Sequence, residues 1–218
     1  MSADIDHLVI AAATLEQGVA WCEAALGFRP TAGGRHPLMG THNRVFTIAS
    51  PGFPGAYFEI VAIDPAAPPP GRQRWFGLDE PALQTSLAQQ PRLVHVVART
   101  KQLDMLRWGL VKLGLDPGLP LAARRETPQG RLQWQILVRD DGALLHGGAL
   151  PTLIQWQGSH PTETLPTSGV ELRALHLVGV PAAARQLLGL RNVSFGDAGP
   201  ALRAVLTAPR GEVVLESA

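Results

Sequence analysis

Asp6-His7-Leu8-Val9-Ile10, Val94-His95-Val96-Val97-Ala98 and Leu175-His176-Leu177-Val178-Gly179 each place a histidine inside a short, mostly apolar run. Such runs read as β-strands, and the same opening met three times signals an internal repeat. A helical pattern follows each strand. In the first, Leu15, Val19, Cys22 and Leu26 recur at helical spacing between a Thr14 N-cap and a Gly27 stop, the residue types those two positions prefer. In the second, Leu103, Leu106, Leu110 and Leu113 lead to Gly114. The third helix is shorter, running from Pro181 through Ala184, Leu187 and Leu188 to Gly189.

Strand candidates close each unit. The middle ones are Arg44 to Ala49, Leu132 to Val138 and Ala201 to Thr207; the last ones are Ala56 to Ile63, Thr152 to Trp156 and Glu212 to Glu216. Each unit thus reads as βαβββ, and the chain as two full modules, 4–63 and 92–157, with a shortened third over 168–218. The stretch 64–90, with Pro68-Pro69-Pro70-Gly71, reads as a linker carrying a helix from Pro81 to Gln89. A second linker, 158–169, is rich in Pro, Thr and Ser.

Composition limits the function classes. The 218 residues are 45% hydrophobic and 17% charged, enough for a substantial core. A net charge of +1, with no basic run longer than Arg124-Arg125, gives no electrostatic footprint for nucleic acid or an anionic membrane. Without a leader pattern at the N-terminus or a long apolar stretch, a cytoplasmic protein is expected. The single cysteine, Cys22, lies in a helical pattern and reads as a core thiol. P-loop, Rossmann, nucleophile-elbow and His-Glu-x-x-His signatures are absent.

A histidine in the opening strand and a polar residue in the closing strand of consecutive βαβββ units resemble the vicinal oxygen chelate superfamily, which includes glyoxalase I, extradiol dioxygenases and bleomycin-resistance proteins. More narrowly, Asp6-His7-Leu8-Val9, Gly33-Gly34-Arg35-His36-Pro37, Gly40-Thr41-His42-Asn43 and Tyr57-Phe58-Glu59-Ile60-Val61 resemble bacterial glyoxalase-like domain proteins. The likeness covers residues 4–157. It implies an α+β fold in which paired modules form a cupped mixed sheet, with first and fourth strands aiming side chains at a divalent metal. Carried onto this chain, those ligands are His7, Glu59, His95 and Gln155, a set suited to zinc, nickel, cobalt or iron(II). A metal with open positions would hold a small oxygen-rich metabolite in a lyase, isomerase or dioxygenase type of reaction, with Glu59 as catalytic base.

Other readings stand beside these. Glu59 among Tyr57, Phe58, Ile60 and Val61 is costly to bury unpaired, so a cation, a metal or strong donors must meet it. His7 and His95 read equally as buried hydrogen-bonding histidines, and Gln155, a neutral amide, as an interior or ligand contact that cannot act as a base. In the glycine-containing loop 33–43, Arg35, His36, His42 and Asn43 are candidates for substrate binding, or for a solvated turn. Arg72, Arg74, Trp75 and Phe76 would rim a pocket or pack the linker onto the core, while His146 and His160 fit no ligand spacing. A metal-free small-molecule binder of the resistance type is the alternative function. In the third unit His176 and Glu216 stand where His7 and Glu59 stand in the first, and its open sheet face should pack against a neighbouring unit or against its twin in another chain, the second suggesting a homodimer built partly through 168–218.

Overall fold

A computed structural model describes residues 2–127 and 130–217. The first module opens with β1 (Asp4–Ala11) and α1 (Leu15–Leu26), followed by β2 (Gly33–His36), β3 (Thr41–Thr47) and β4 (Tyr57–Ile63). The Thr14 side chain accepts from the Gln17 N–H at 3.1 Å to begin α1, and Gly27, at φ 73°, ends it in the left-handed region that glycine enters without cost. A linker helix α2 (Pro81–Leu87) precedes the second module: β5 (Arg92–Arg99), α3 (Leu103–Lys112), β6 (Leu119–Thr127), β7 (Gly130–Val138) and β8 (Thr152–Gln157).

These strands form one eight-stranded mixed sheet in the order β2-β3-β4-β1-β5-β8-β7-β6. Each module pairs its first and last strands in parallel, β1 with β4 and β5 with β8, and the two modules join edge to edge through antiparallel β1 and β5. The sheet curls until its outer strands β2 and β6 approach one another, with Arg125 of β6 reaching Asn43 of β3 at 3.3 Å. This is the cupped α+β architecture that the family resemblance implied.

The third unit has the expected element order, β9 (Glu171–Val178), α4 (Ala182–Leu188), β10 (Val193–Gly196), β11 (Leu202–Ala208) and β12 (Gly211–Glu216), but a different pairing. Its separate sheet runs β10-β9-β11-β12, so β12 is an edge strand and never meets β9. His176 and Glu216 therefore do not repeat the His7–Glu59 relation. They flank Arg203, which is in register with both, and Glu216 pairs with Arg203 at 3.2 Å on the exposed surface.

This small sheet also covers its apolar face within the chain. Leu172, Leu175, Leu177 and Leu206 share one core with Leu8, Ile10 and Phe58 on the convex side of the large sheet, and with Leu106 of α3. Backbone and side-chain bonds seal the contact: Leu172 N–H to Ile48 O at 2.9 Å, Ser168 Oγ to Thr47 O at 2.7 Å, and the Arg191 guanidinium on Asp4 at 2.7 Å. Of the two packings open to this face, against a neighbouring unit or against a twin, the chain realises the first. Cys22 is buried in the same core, and burial pushes its thiol up to about 12.

Leu177→Ala removes a fully buried side chain from this shared core. It is expected to lower stability by about 2–5 kcal/mol within a single cooperative urea transition. A separate early transition for the C-terminal unit would show that it does not share the core.

Candidate functional site

The sheet's concave face is built by strand alternation, with successive side chains pointing to opposite sides. In β1 and β4, His7, Val9, Tyr57 and Glu59 face the cup, as the register His7↔Tyr57 and Val9↔Glu59 requires. A bulge changes the pattern at one point. Between β1 and β5 the register skips a residue from Ile5 to His7, leaving Asp6 as the extra residue, and a bulge can aim two consecutive side chains the same way. The Asp6 carboxylate consequently lies beside His7 rather than behind it.

Asp6 is fully buried. Its Oδ1 takes His7 Nδ1 at 2.7 Å, and its Oδ2 takes Trp156 Nε1 and His160 Nε2, both at 3.0 Å. Burial pushes its pKa up, but the hydrogen bonds from His160 and His7 overcome that and hold the carboxyl well below the usual range. An ionised Asp6 can only accept, so the His7 proton sits on Nδ1. His7 Nε2 then points at Glu59 Oε2 across 3.4 Å, while Tyr57 stacks on the imidazole at 4.5 Å between ring centres. The other Glu59 oxygen accepts from Asn43 Nδ2 at 2.6 Å. Asn43 and His7 are thus the partners that a carboxylate in so apolar a strand needed.

Of the residues singled out in the sequence, His7, Glu59, His36 and Asn43 come together around one cavity. His36 is buried beside Asn43, with Nδ1 on Thr41 Oγ1 at 3.1 Å, and burial lowers its pKa to about 4. Arg35 and His42 pair with one another across β2 and β3 on the outer face, where each lies near Asp64, at 3.4 Å and 4.0 Å. They do not meet the cup.

His95 faces the cup but has no free nitrogen. Nδ1 meets Gly148 O at 2.8 Å, and Nε2 receives Thr152 N at 3.1 Å and Thr152 Oγ1 at 2.9 Å. Gln155 lies on the convex face, opposite Gln135, and its Oε1 accepts from Leu103 N at 3.2 Å, capping α3. The strand parity places Thr152, Ile154 and Trp156 in the cup instead. Since Val9 is in register with Glu59 and Val97 with Thr152, Thr152 stands to His95 as Glu59 stands to His7.

The donors expected for a divalent metal therefore do not fit one. Glu59 and His7 supply two, His95 has its lone pair committed, Gln155 faces away, and no cluster of three or more His, Cys, Asp or Glu suited to a metal occurs among the described residues.

Sequence reasoning passed over Asp6, Trp156, His160 and Arg125. Arg125 faces the cup from β6 because Leu121, Ala123 and Arg125 share the face that Leu132 and Trp134 present across the β6–β7 ladder. The linker before α2 then fills the cup. Trp75 and Phe76 divide it into a chamber of about 40 Å³ walled by His7, His36, Asn43, Glu59 and Arg125, and one of about 30 Å³ beside His95. Each has room for little more than a water.

The chain belongs to the glyoxalase-like domain family, which it matches over residues 5–190, and so to the vicinal oxygen chelate superfamily. Among solved structures, a hypothetical protein from Staphylococcus aureus is similar at a TM-score of 0.60 and 15% identity, over 99% of this chain and 86% of that one. A methylmalonyl-CoA epimerase in complex with methylmalonyl-CoA is similar at a TM-score of 0.44 and 16% identity, over 73% of this chain and 98% of that one. The Mycobacterium tuberculosis methylmalonyl-CoA epimerase follows at 0.40 and 16%, over 71% and 87%. At these identities the likeness concerns the fold. A search of curated protein sequences gives no match, and no helix among the described residues is long and apolar enough to cross a membrane.

The buried imidazole of His95 makes a pH prediction. Burial lowers its pKa from 6.5 to about 3, so as pH falls below 6.5 the unfolded chain binds a proton that the folded chain refuses. The stability it contributes is complete above that pH and drains away toward pH 3, at about 1.4 kcal/mol per pH unit. Urea midpoints are expected to fall between pH 7 and about 4.5, and less steeply in His95→Gln. An unchanged slope in the variant would mean that His95 titrates normally in the folded protein.

Proposed function

We propose that the first module's half of the cup is an active site for proton transfer on a small oxygen-rich metabolite, with Glu59 as the base and His7 as its proton-carrying neighbour. The observation that supports this most is the line Asp6–His7–Glu59. A buried carboxylate fixes one imidazole nitrogen at 2.7 Å and aims the other at a second carboxylate 3.4 Å away, in a chamber that also borders a guanidinium. A proton placed between these two groups would bridge them. A group that readily gives or takes that proton is what general acid–base catalysis requires.

Each residue has a distinct task. Glu59 would take a proton from carbon next to a carbonyl, and His7 Nε2 would receive or return it. Asp6 is a positioning residue that sets the His7 tautomer and offsets its charge, as a buried carboxylate does behind a catalytic imidazole. Asn43 fixes the Glu59 carboxylate through Oε1 and leaves Oε2 toward His7. None of these steps passes through a metal, because the donor set does not fit one.

Deuterium incorporation from heavy water into a panel of small 2-oxo compounds, followed by proton NMR, tests the reading. The protein is expected to accelerate exchange for at least one of them, Glu59→Gln to slow it by about 10²–10⁴-fold, and a chelator to leave it unchanged. Exchange that survives Glu59→Gln removes Glu59 as the base. Exchange lost to chelator and restored by zinc, nickel or iron(II) returns the site to metal chemistry. Saturable binding of a panel compound without exchange would make the cup a binding site alone.

A further inference from the structure

We infer that Arg125 is the recognition point for a carboxylate in this cup, so that the ligand is a small carboxylic acid carrying a carbonyl. The inference rests on the proposed role of Glu59 but draws on different observations. Arg125 projects into the chamber from the second module, and among the described residues its one hydrogen bond is Nη1 to Asn43 Oδ1 at 3.3 Å. Its Nε is buried without a partner, and among the described residues no carboxylate forms an ion pair with it. Arg125 is half-buried, and the planar fork of N–H groups on a guanidinium fits a carboxylate in two parallel bonds.

Trp75 supplies the second observation. Its side chain borders the same chamber, it is 5% exposed, and its indole N–H is likewise buried without a partner. Two of the residues that line this small chamber thus carry unsatisfied donors, the chemistry that an oxygen anion would answer. A buried donor without a partner is costly, and a ligand acceptor removes that cost.

Asn43 sets where such an anion would sit relative to the base. Its amide oxygen takes Arg125 and its amide nitrogen holds Glu59, so guanidinium and carboxylate are held at the two ends of one amide group. A carboxylate on Arg125 therefore brings its neighbouring carbons to Glu59, and the guanidinium charge lies where an enediolate oxygen would form after proton removal. Glu59 itself is already occupied by Asn43 and His7, which leaves Arg125 for the incoming anion. Because the chamber holds about 40 Å³, entry requires Trp75 and Phe76 to shift.

Sodium oxalate and sodium pyruvate, with methyl pyruvate as the uncharged control, are the probes, read on the Arg Nε–H and Trp Nε1–H NMR signals of the whole protein. The anions are expected to shift the Arg125 and Trp75 signals saturably, and methyl pyruvate to leave them in place. Arg125→Gln should weaken anion binding at least about tenfold, while Arg125→Lys, which keeps the charge, recovers part of it. Glu59→Gln should keep anion binding even though exchange is lost, so failure of the base and failure of the anchor are told apart. Equal response to methyl pyruvate, no saturable response to either anion, or unchanged binding in a folded Arg125→Gln protein overturns the assignment.

Discussion

Two carboxylates buried within one imidazole's reach are the constraint around which the concave face is arranged. Asp6 and Glu59 are 0% and 5% exposed, and neither could stay charged there unaided, since an unpaired buried carboxylate is too costly for a domain of ordinary stability to carry. Each nearby feature answers that requirement. The bulge in β1 turns Asp6 toward His7, Trp156 and His160 complete its hydrogen bonding from β8 and the second linker, and Asn43 crosses from β3 to Glu59. Sheet, bulge and linker are thus fixed by one electrostatic problem, and the solution leaves His7 Nε2 aimed at Glu59.

The duplicated second module shows what the same frame becomes when the carboxylate is missing. His95 repeats His7 in strand and register, yet Thr152 stands where Glu59 would. A hydroxyl and an N–H close on Nε2, Gly148 closes on Nδ1, and burial lowers the ring's pKa to about 3. A neutral, fully bonded imidazole is a structural element. One exchange of a carboxylate for a hydroxyl thereby separates the module proposed to move protons from one whose imidazole is fully bonded.

The repeat was legible because strand-helix punctuation survives in local residues: Thr14, Gly27, Gly114 and Gly189 end or begin helices where their chemistry directs. What a side chain faces was less so. Gln155 looked like the lone polar residue of a closing strand, but period-two alternation means that one residue's difference in register exchanges the faces, and the bulky Ile154 and Trp156 took the inside. Arg35 and His42 failed for the same reason, while His36 and Asn43, the alternate positions of the same hairpin, point inward. Asp6 was hidden by a bulge, which no local pattern announces. His160 and Arg125 depend on contacts 154 and 82 residues distant in sequence. The third sheet's strand order depends likewise on which long-range edge its strands find, and its element order was all that the sequence carried.

The linker between the modules explains why so well-formed a pair of half-cups encloses so little space. Phe76 sits at φ 60°, a conformation that costs a bulky residue about 1–3 kcal/mol. Of the five buried side-chain atoms lacking a partner among the described residues, three belong to Arg72, Arg74 and Trp75, each orphan donor costing about 1–3 kcal/mol. Strain and most of the unsatisfied polarity are thus concentrated in the segment that fills the cup. What keeps the segment seated is the burial of two aromatic rings against Val9, Val97 and Trp134 together with the Arg74–Asp79 pair at 2.6 Å. Its hold on the cup is therefore a balance between apolar burial and frustrated donors, and an acceptor supplied to those donors relieves the frustrated side.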